Sequence, residues 1–365
     1  MIPVGSSSTL DLFKRLTSVP TAPFCESAVT RQALAWINAN LKHSVRVQQR
    51  RGGVVVRYQG GGDGPALALS AHLDHPAFHL TRISAKGAVG LLRGRLPPHL
   101  LKGSRVEAFG AVSGDNQPLA EGIIGLSKDE KIWPIEWTRP PRRGFKPVFA
   151  TLALTPYEIS AGWLSSRSID DLLGCAISLE VVRRAARMKL KTNITVLLSR
   201  AEEVGFIGAL GLAHEGAVNP CDSVISVECS RALPGTMPGL GPVIRLGDKA
   251  CVFDPNLTSL LDAAAVKLKR NDQPVQRRRL VGGTCEATGY LAFGFEASGV
   301  AIPLVNYHNG WGAEKVAPER VRVSDIEPTV QLVLEAARLF PAQSLRGAIH
   351  ARLKKHYTKL APLLA

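Results

Sequence analysis

No apolar run in the 365-residue sequence approaches the ~20 residues that a bilayer-spanning helix needs. The opening MIPVGSSSTLDLFKR has neither a basic stretch leading into an apolar one nor a small-residue cleavage site, so the expected location is cytoplasmic, with no membrane partner. Cysteine is scarce, and none of Cys25, Cys175, Cys221, Cys229, Cys251 and Cys285 forms a C-x-x-C pair. They lie in or beside apolar stretches and read as buried free thiols, not as a disulfide or zinc framework. Ser6-Ser7-Ser8 has no G-x-S-x-G context, which argues against a serine hydrolase. Acid is the minority charge, 30 Asp and Glu against 45 Lys and Arg, and the net +15 favours anionic partners through its long-range field. The densest basic runs, Arg277-Arg278-Arg279 and Arg352-Leu353-Lys354-Lys355, are short. No Gly-rich or aromatic-interleaved module accompanies them, so nucleic acid is not the expected partner.

What is present is an ordinary globular composition, 45% hydrophobic, able to bury a large core. Residues 27–42 carry apolar positions at helical spacing and feed two short apolar strands, VVVRYQ and ALALSAHLDH, separated by glycines at 60–64. From about 76 to 160 the stretches shorten and alternate (HLTRIS, IIGLS, IWPIEW, VFATLALT), which predicts a small β domain, barrel or sandwich. After 160, helical patterns such as DLLGCAISLEVVRRAARM and FIGALGLAHE alternate with the apolar strands ITVLLS and SVISVE. PNLTSLLDAAAVKLKR, VAIPLVN and a terminal helix over IEPTVQLVLEAARLF follow. Such alternation predicts an α/β fold with a mixed, largely parallel sheet flanked by helices. The expected division is one α/β catalytic domain from residues 1–75 and 160–365, with a small β domain inserted at 76–159.

In open α/β sheets the chemistry sits at the C-terminal ends of the strands, so polar residues directly after apolar runs are the candidates. Five places qualify: His72 and Asp74 in SAHLDH, Asp170-Asp171 opening a helix, Glu202-Glu203 after ITVLLS, Glu228 ending SVISVE, and His308 after VAIPLVN. Two histidines with several carboxylates make a mixed nitrogen and oxygen set suited to zinc or another first-row divalent ion, and one carboxylate can bridge two ions. A neighbouring carboxylate left unligated can serve as general base, a role the Glu202-Glu203 pair can supply. In His72-Leu73-Asp74 the i, i+2 spacing predicts that Asp74 orients the imidazole. His75 and His79 share the i, i+4 spacing of helical zinc proteases, but Pro76 and the missing H-E-x-x-H argue for a structural role. His214, inside a helical pattern, reads as a surface or cap residue.

SAHLDH, SIDDLLG, RAEEVGFIGA, VECS, GGTCEA and NYHNG, in that order, resemble the dinuclear-metal aminopeptidases that include the tetrahedral, deblocking and glutamyl aminopeptidases. The resemblance covers nearly the whole chain, from SVPTAPFCESAVTRQAL onward. It implies a zinc-peptidase-like fold with two divalent metal ions, zinc, or else cobalt or manganese. One ion would take Asp170, Glu203 and His308, and the other His72, Asp170 and Glu228. Glu202 would be the general base, with Asp74 beside it in the catalytic set. The implied substrates are peptides with a free N-terminus, the implied assembly is a homo-oligomer, and the inserted domain would be a lid or a subunit contact. The resemblance also implies a cis bond between Asp170 and Asp171. Glu228 stands where the family more often has Asp, Leu172 where Arg usually follows the aspartates, His75-Pro76 where an acid is usual, and Cys285-Glu286 where a single Asp is usual. A deacylase or carboxypeptidase on the same metal site, and a catalytically degenerate relative with a binding role, are the alternative readings.

Overall fold

The apolar runs that precede the candidate residues are neighbours in one sheet. In the computed structural model, which describes residues 6–110, 117–340 and 345–364, strands Asn193–Ser199, Ala66–His72, Ser223–Arg231 and Glu296–Leu304 lie side by side and parallel. Residues 1–5 of the opening segment lie outside the described residues. These central strands are buried almost end to end, as expected for a sheet covered on both faces. Antiparallel strands Arg46–Arg50 and Gly53–Tyr58 extend one edge. Val243–Arg245, antiparallel to its neighbour, and Gln276–Arg278 extend the other and complete eight strands.

Helices Ser6–Thr17, Ser27–Leu41, Leu172–Arg187, Pro255–Lys269 and Ile326–Leu339 pack on one face in the largest apolar cluster. Ile207–His214 and Glu286–Ala292 cover the other. Leu172–Arg187 is buried nearly all round, because its apolar residues occupy more than one stripe. Leu172 itself is in the core. Gly174 permits the close approach of this helix to the sheet: a Cβ there would lie 2.3 Å from the Asp171 carboxylate and 2.3 Å from the Val227 carbonyl.

The β-rich stretch forms six antiparallel strands between Ala77 and Leu152 that close into a barrel. Its core is its own: Phe78, Leu92, Leu101, Val106, Trp133 and Ile135 pack together inside. A small sheet joins Glu158–Ser160, Trp163–Ser166 and Glu319–Arg322 on the way back to the α/β layer.

Two expectations need correction, and one strand had no expectation at all. Helix Ile326–Leu339 is not terminal, because the basic helix Leu345–Leu360 follows it. Its uniformly exposed residues from 352 to 360 give little core periodicity to read. Cys221 is exposed, since it sits in the turn Asn219-Pro220-Cys221 and not in the strand that follows, and the six cysteines are free thiols. Strand Arg46–Arg50 is exposed along its length, so its polar sequence gave no strand signal. No helix among the described residues is long and apolar enough to cross a membrane.

Candidate metal centre

The candidate residues leave the sheet at one level. His72 ends its strand and pairs with Ser199, which places the short turn Glu202–Val204 beside it. Ser70 pairs with Ser226, so Glu228, two residues further on, comes level with His72. His308 follows strand Glu296–Leu304. Asp170 arrives from outside the sheet, immediately before helix Leu172–Arg187, and the Asp170–Asp171 bond is cis, as the resemblance implied.

Asp170 falls in two groups of converging ligand atoms, one with His72 and Glu228, the other with Glu203 and His308. Within each group the atoms lie within 4.8 Å of one another. His72 Nε2 is 3.5 Å from Asp170 Oδ1. His308 Nε2 is 3.8 Å from Oδ2 of the same carboxylate and 3.3 Å from Glu203 Oε1. Glu202 also enters a group with His72 and Glu203, its Oε2 3.7 Å from His72 Nε2. Asp170 Oδ1, Glu203 Oε1 and His308 Nε2 are buried without a hydrogen-bond partner. Leaving such atoms facing one another costs about 1–3 kcal/mol each unless a cation lies among them. Two histidines and three carboxylates, converging around these unpartnered atoms, are a donor set that could hold divalent metal ions.

The turns that carry these residues are held by other buried carboxylates. Asp74 accepts the Glu202 and Glu203 amides at 2.9 and 3.1 Å. Glu26 accepts the Ala201 amide and the Arg200 guanidinium. His72 Nδ1 lies nearer the main-chain oxygen of Asp74, at 3.1 Å, than its carboxylate, at 3.6 Å. The strand ends at His72, so the alternation that would align both side chains stops before Asp74, which orients the ring through its carbonyl instead. On the far side, His75 hydrogen-bonds the Asp170 carbonyl at 2.7 Å and the Asn309 side chain at 3.1 Å. His79 contacts the Pro23 carbonyl, and His214 is exposed at a helix end, so both are structural.

A sequence profile of the M42 glutamyl aminopeptidase family matches residues 148–332. The chain belongs to this family. Solved structures agree in fold: a TET aminopeptidase from a marine-sediment Thaumarchaeota archaeon has a TM-score of 0.76 at 19% identity over 90% of this chain and 96% of that one. An aminopeptidase from Desulfurococcus kamchatkensis gives 0.74 at 19% over 91% and 95%. The Pyrococcus horikoshii TET1 peptidase, which can assemble into a tetrahedron or a large octahedral shell, gives 0.72 at 19% over 90% and 99%. M42 proteins are metal-dependent peptidases, and the matched span holds Asp170, Glu202, Glu203, Glu228 and His308, while His72 and Asp74 precede it.

In this M42 chain the carboxylates crowd. Burial pushes the Asp171, Glu202 and Glu228 carboxyls up, and their shared negative charge pushes further, against the pull of His72. Burial disfavours the charged form of both histidines, but the carboxylates outweigh it: Glu202 and Asp170 raise His72, and Glu203 raises His308 to about 9. The balance calls for added positive charge. Cys285 and Glu286 do not line the recess beside Asp170 and Glu228. Glu286 accepts hydrogen bonds from Ser70 and Ser199 inside the sheet, and Gly282, Gly283 and Thr284 line the recess in their place.

Sequence reasoning missed Glu26, Arg245, Tyr307 and Glu319. Tyr307 stacks on His308, ring centroids 3.8 Å apart, with Arg231 over its other face. Arg245 is 3% exposed, its Nε unpartnered, and it lines the recess beside Asp170 and Glu228. For Arg245 alone there was a signal, an arginine closing the otherwise apolar strand Val243–Arg245.

Proposed function

We propose that this chain is an aminopeptidase that removes the N-terminal residue of peptides at a two-ion centre, with His72, Asp170 and Glu228 holding one ion and Asp170, Glu203 and His308 the other. The observation that carries this reading is the pair of ligand groups sharing Asp170, with Asp170 Oδ1, Glu203 Oε1 and His308 Nε2 buried and unpartnered among them. When bound, the ions, zinc before cobalt or manganese, lower the pKa of water and polarise a carbonyl. Glu202, its amide fixed by Asp74, takes the proton from water and delivers it to the leaving amine. Its burial supports that role, because a carboxyl whose affinity for protons is raised is a better base.

Arg245 selects the substrate. A buried guanidinium with an unused N–H, 4.0 Å from Glu228 and opening on the recess, is a receptor for an acidic N-terminal side chain. Arg231, at the same recess, adds positive charge. The barrel, whose chain leaves and rejoins the α/β layer beside His72 and Asp170, serves as a wall of the site or as a subunit contact. The shells formed by the TET1 neighbour support assembly into a homo-oligomer.

The test is a screen of aminoacyl arylamides with added zinc, cobalt or manganese. Glu- and Asp-arylamides are expected to be turned over best. Arg245→Ala should cut kcat/KM for the Glu substrate by on the order of 10–100-fold while sparing the Leu substrate. Arg245→Lys should retain part of the preference. Release from N-acylated peptides, or from carboxyl ends, without release from free N-termini would replace the aminopeptidase reading.

A further inference from the structure

Glu319 lies eleven residues beyond His308 on a different strand, fully buried, and its side chain serves no structural element of its own. One carboxylate oxygen accepts the amides of Ile169 and Asp170 at 2.8 and 3.0 Å. The other accepts the amide of His308 at 2.9 Å. The topology explains the reach. Glu319 pairs with Ser166 at the end of the strand that leads into Asp170, and the next residue, Arg320, bridges Val305 on the strand that leads into His308. One side chain therefore sits between the two arriving segments.

The His308 turn needs such a hold. Asn306, His308 and Asn309 all have positive φ, at 57°, 52° and 61°, a region that non-glycine residues adopt at a cost and keep only where surrounding contacts over-determine it. The Asn309 side chain reaches back to the Arg167 carbonyl, tying the same two segments a second time.

We propose that Glu319 is a positioning residue that presets Asp170 and His308 as a pair, so that the ion they share with Glu203 finds its ligands in place before it binds. This rests on the ligand set proposed above. Because Asp170 belongs to both groups, the second ion is strengthened through the same carboxylate. Gln at 319 keeps one acceptor oxygen but turns an N–H₂ donor towards amide donors, so part of the clamp becomes repulsive.

The experiment compares Glu319→Gln with Asp325→Asn, using the full chain stripped of metal and titrated with cobalt and zinc against a competing chelator. Asp325 is the matched control. It is equally buried and accepts two backbone amides, those of Gly239 and Gly241, outside the metal centre. Both variants should lower the melting temperature of the metal-free chain. Only Glu319→Gln should weaken metal binding, by about 10–100-fold. Equal metal affinity in Glu319→Gln and wild type, or equal loss in both variants, overturns the proposal. Should Glu319→Gln fail to fold, amide hydrogen exchange in the metal-free wild type decides: protection of the Ile169, Asp170 and His308 amides supports presetting, and rapid exchange at them refutes it. A wild type that binds fewer than two ions, yet protects these amides, faults the two-ion reading and leaves Glu319 as the clamp.

Discussion

The barrel and the ligand end of the sheet are held together by opposite means. Inside the barrel the buried side chains are almost entirely apolar, and its strands alternate buried with half-buried residues, as in Gly87–Arg93. At the candidate metal centre, by contrast, Glu26, Asp74, Asp170, Asp171, Glu228, Glu286 and Glu319 are all buried, although the sequence brings them from positions 26 to 319. The first region is stabilised by removing carbon from water, a force indifferent to metal and weakly dependent on pH. The second gives up stability to gather charge and recovers it through amide donors and, in the proposed function, through ions. The lesson is that one chain can divide robustness and chemistry between adjacent layers.

The strongest test of this division is at the ligand end. Glu202→Gln should lower turnover by on the order of 10²–10⁴-fold while both ions stay bound, because the lost group moves a proton and is not needed as a ligand. Metal analysis alongside the rate checks it. An empty site in Glu202→Gln would shift Glu202 into the ligand set, in line with its grouping with His72 and Glu203.

The converse test is in the barrel. Phe78 is fully buried there, and Phe78→Ala should cost about 3–5 kcal/mol of stability in denaturant unfolding. Metal content per folded chain should not change. If the variant released its ions while the barrel remained folded, the two layers would be coupled more closely than their separate cores suggest.

The smallest effect is in pH. Burial raises Glu286 and Glu319 from 4.5 to about 7, and His308 is raised from 6.5 to about 9 by Glu203 and Asp170 against burial. A folded state that holds protons more tightly than the unfolded one loses stability as pH rises between the two values. The metal-free chain should therefore melt several degrees lower near pH 9 than near pH 6. The metal-loaded chain should show a weaker trend, because in the proposed function an ion takes the place of the proton on His308. Paired thermal melts across this range make the comparison.

Much of this was legible in the sequence. The strands carrying His72, Glu228 and His308 are short apolar runs ending in a polar residue, a pattern that fixes both the parallel sheet and the end at which chemistry gathers. The barrel was legible as alternation, although closure against a sandwich depends on the pairing of Ala77–Thr81 with Phe149–Leu152, which no local pattern records. The ligand clamps were harder to read. Glu26 and Glu319 act on residues 175 and 150 positions away, through backbone amides that every residue possesses, so no side-chain motif announces them. Asp74 was recognised as a neighbour of the His72 ring, but not as the carboxylate that holds the Glu202 and Glu203 amides. Arg245 lay hidden in a short strand, where an arginine ordinarily faces solvent.

The proposed ligands are strung along the chain from position 72 to position 308, and Glu319, which accepts the amide of the last of them, lies later still. During synthesis His72 and its strand emerge early, but the centre cannot close until almost all of the α/β layer has been made. The barrel's strands are complete by residue 152, and the buried residues of its core lie between Phe78 and Leu152, with Leu154 and Val316 packed against them from downstream. A nascent chain is thus spared an active peptidase centre until residues beyond His308 have been made, and a chain truncated before Glu319 should keep the barrel strands and have no hydrolytic power.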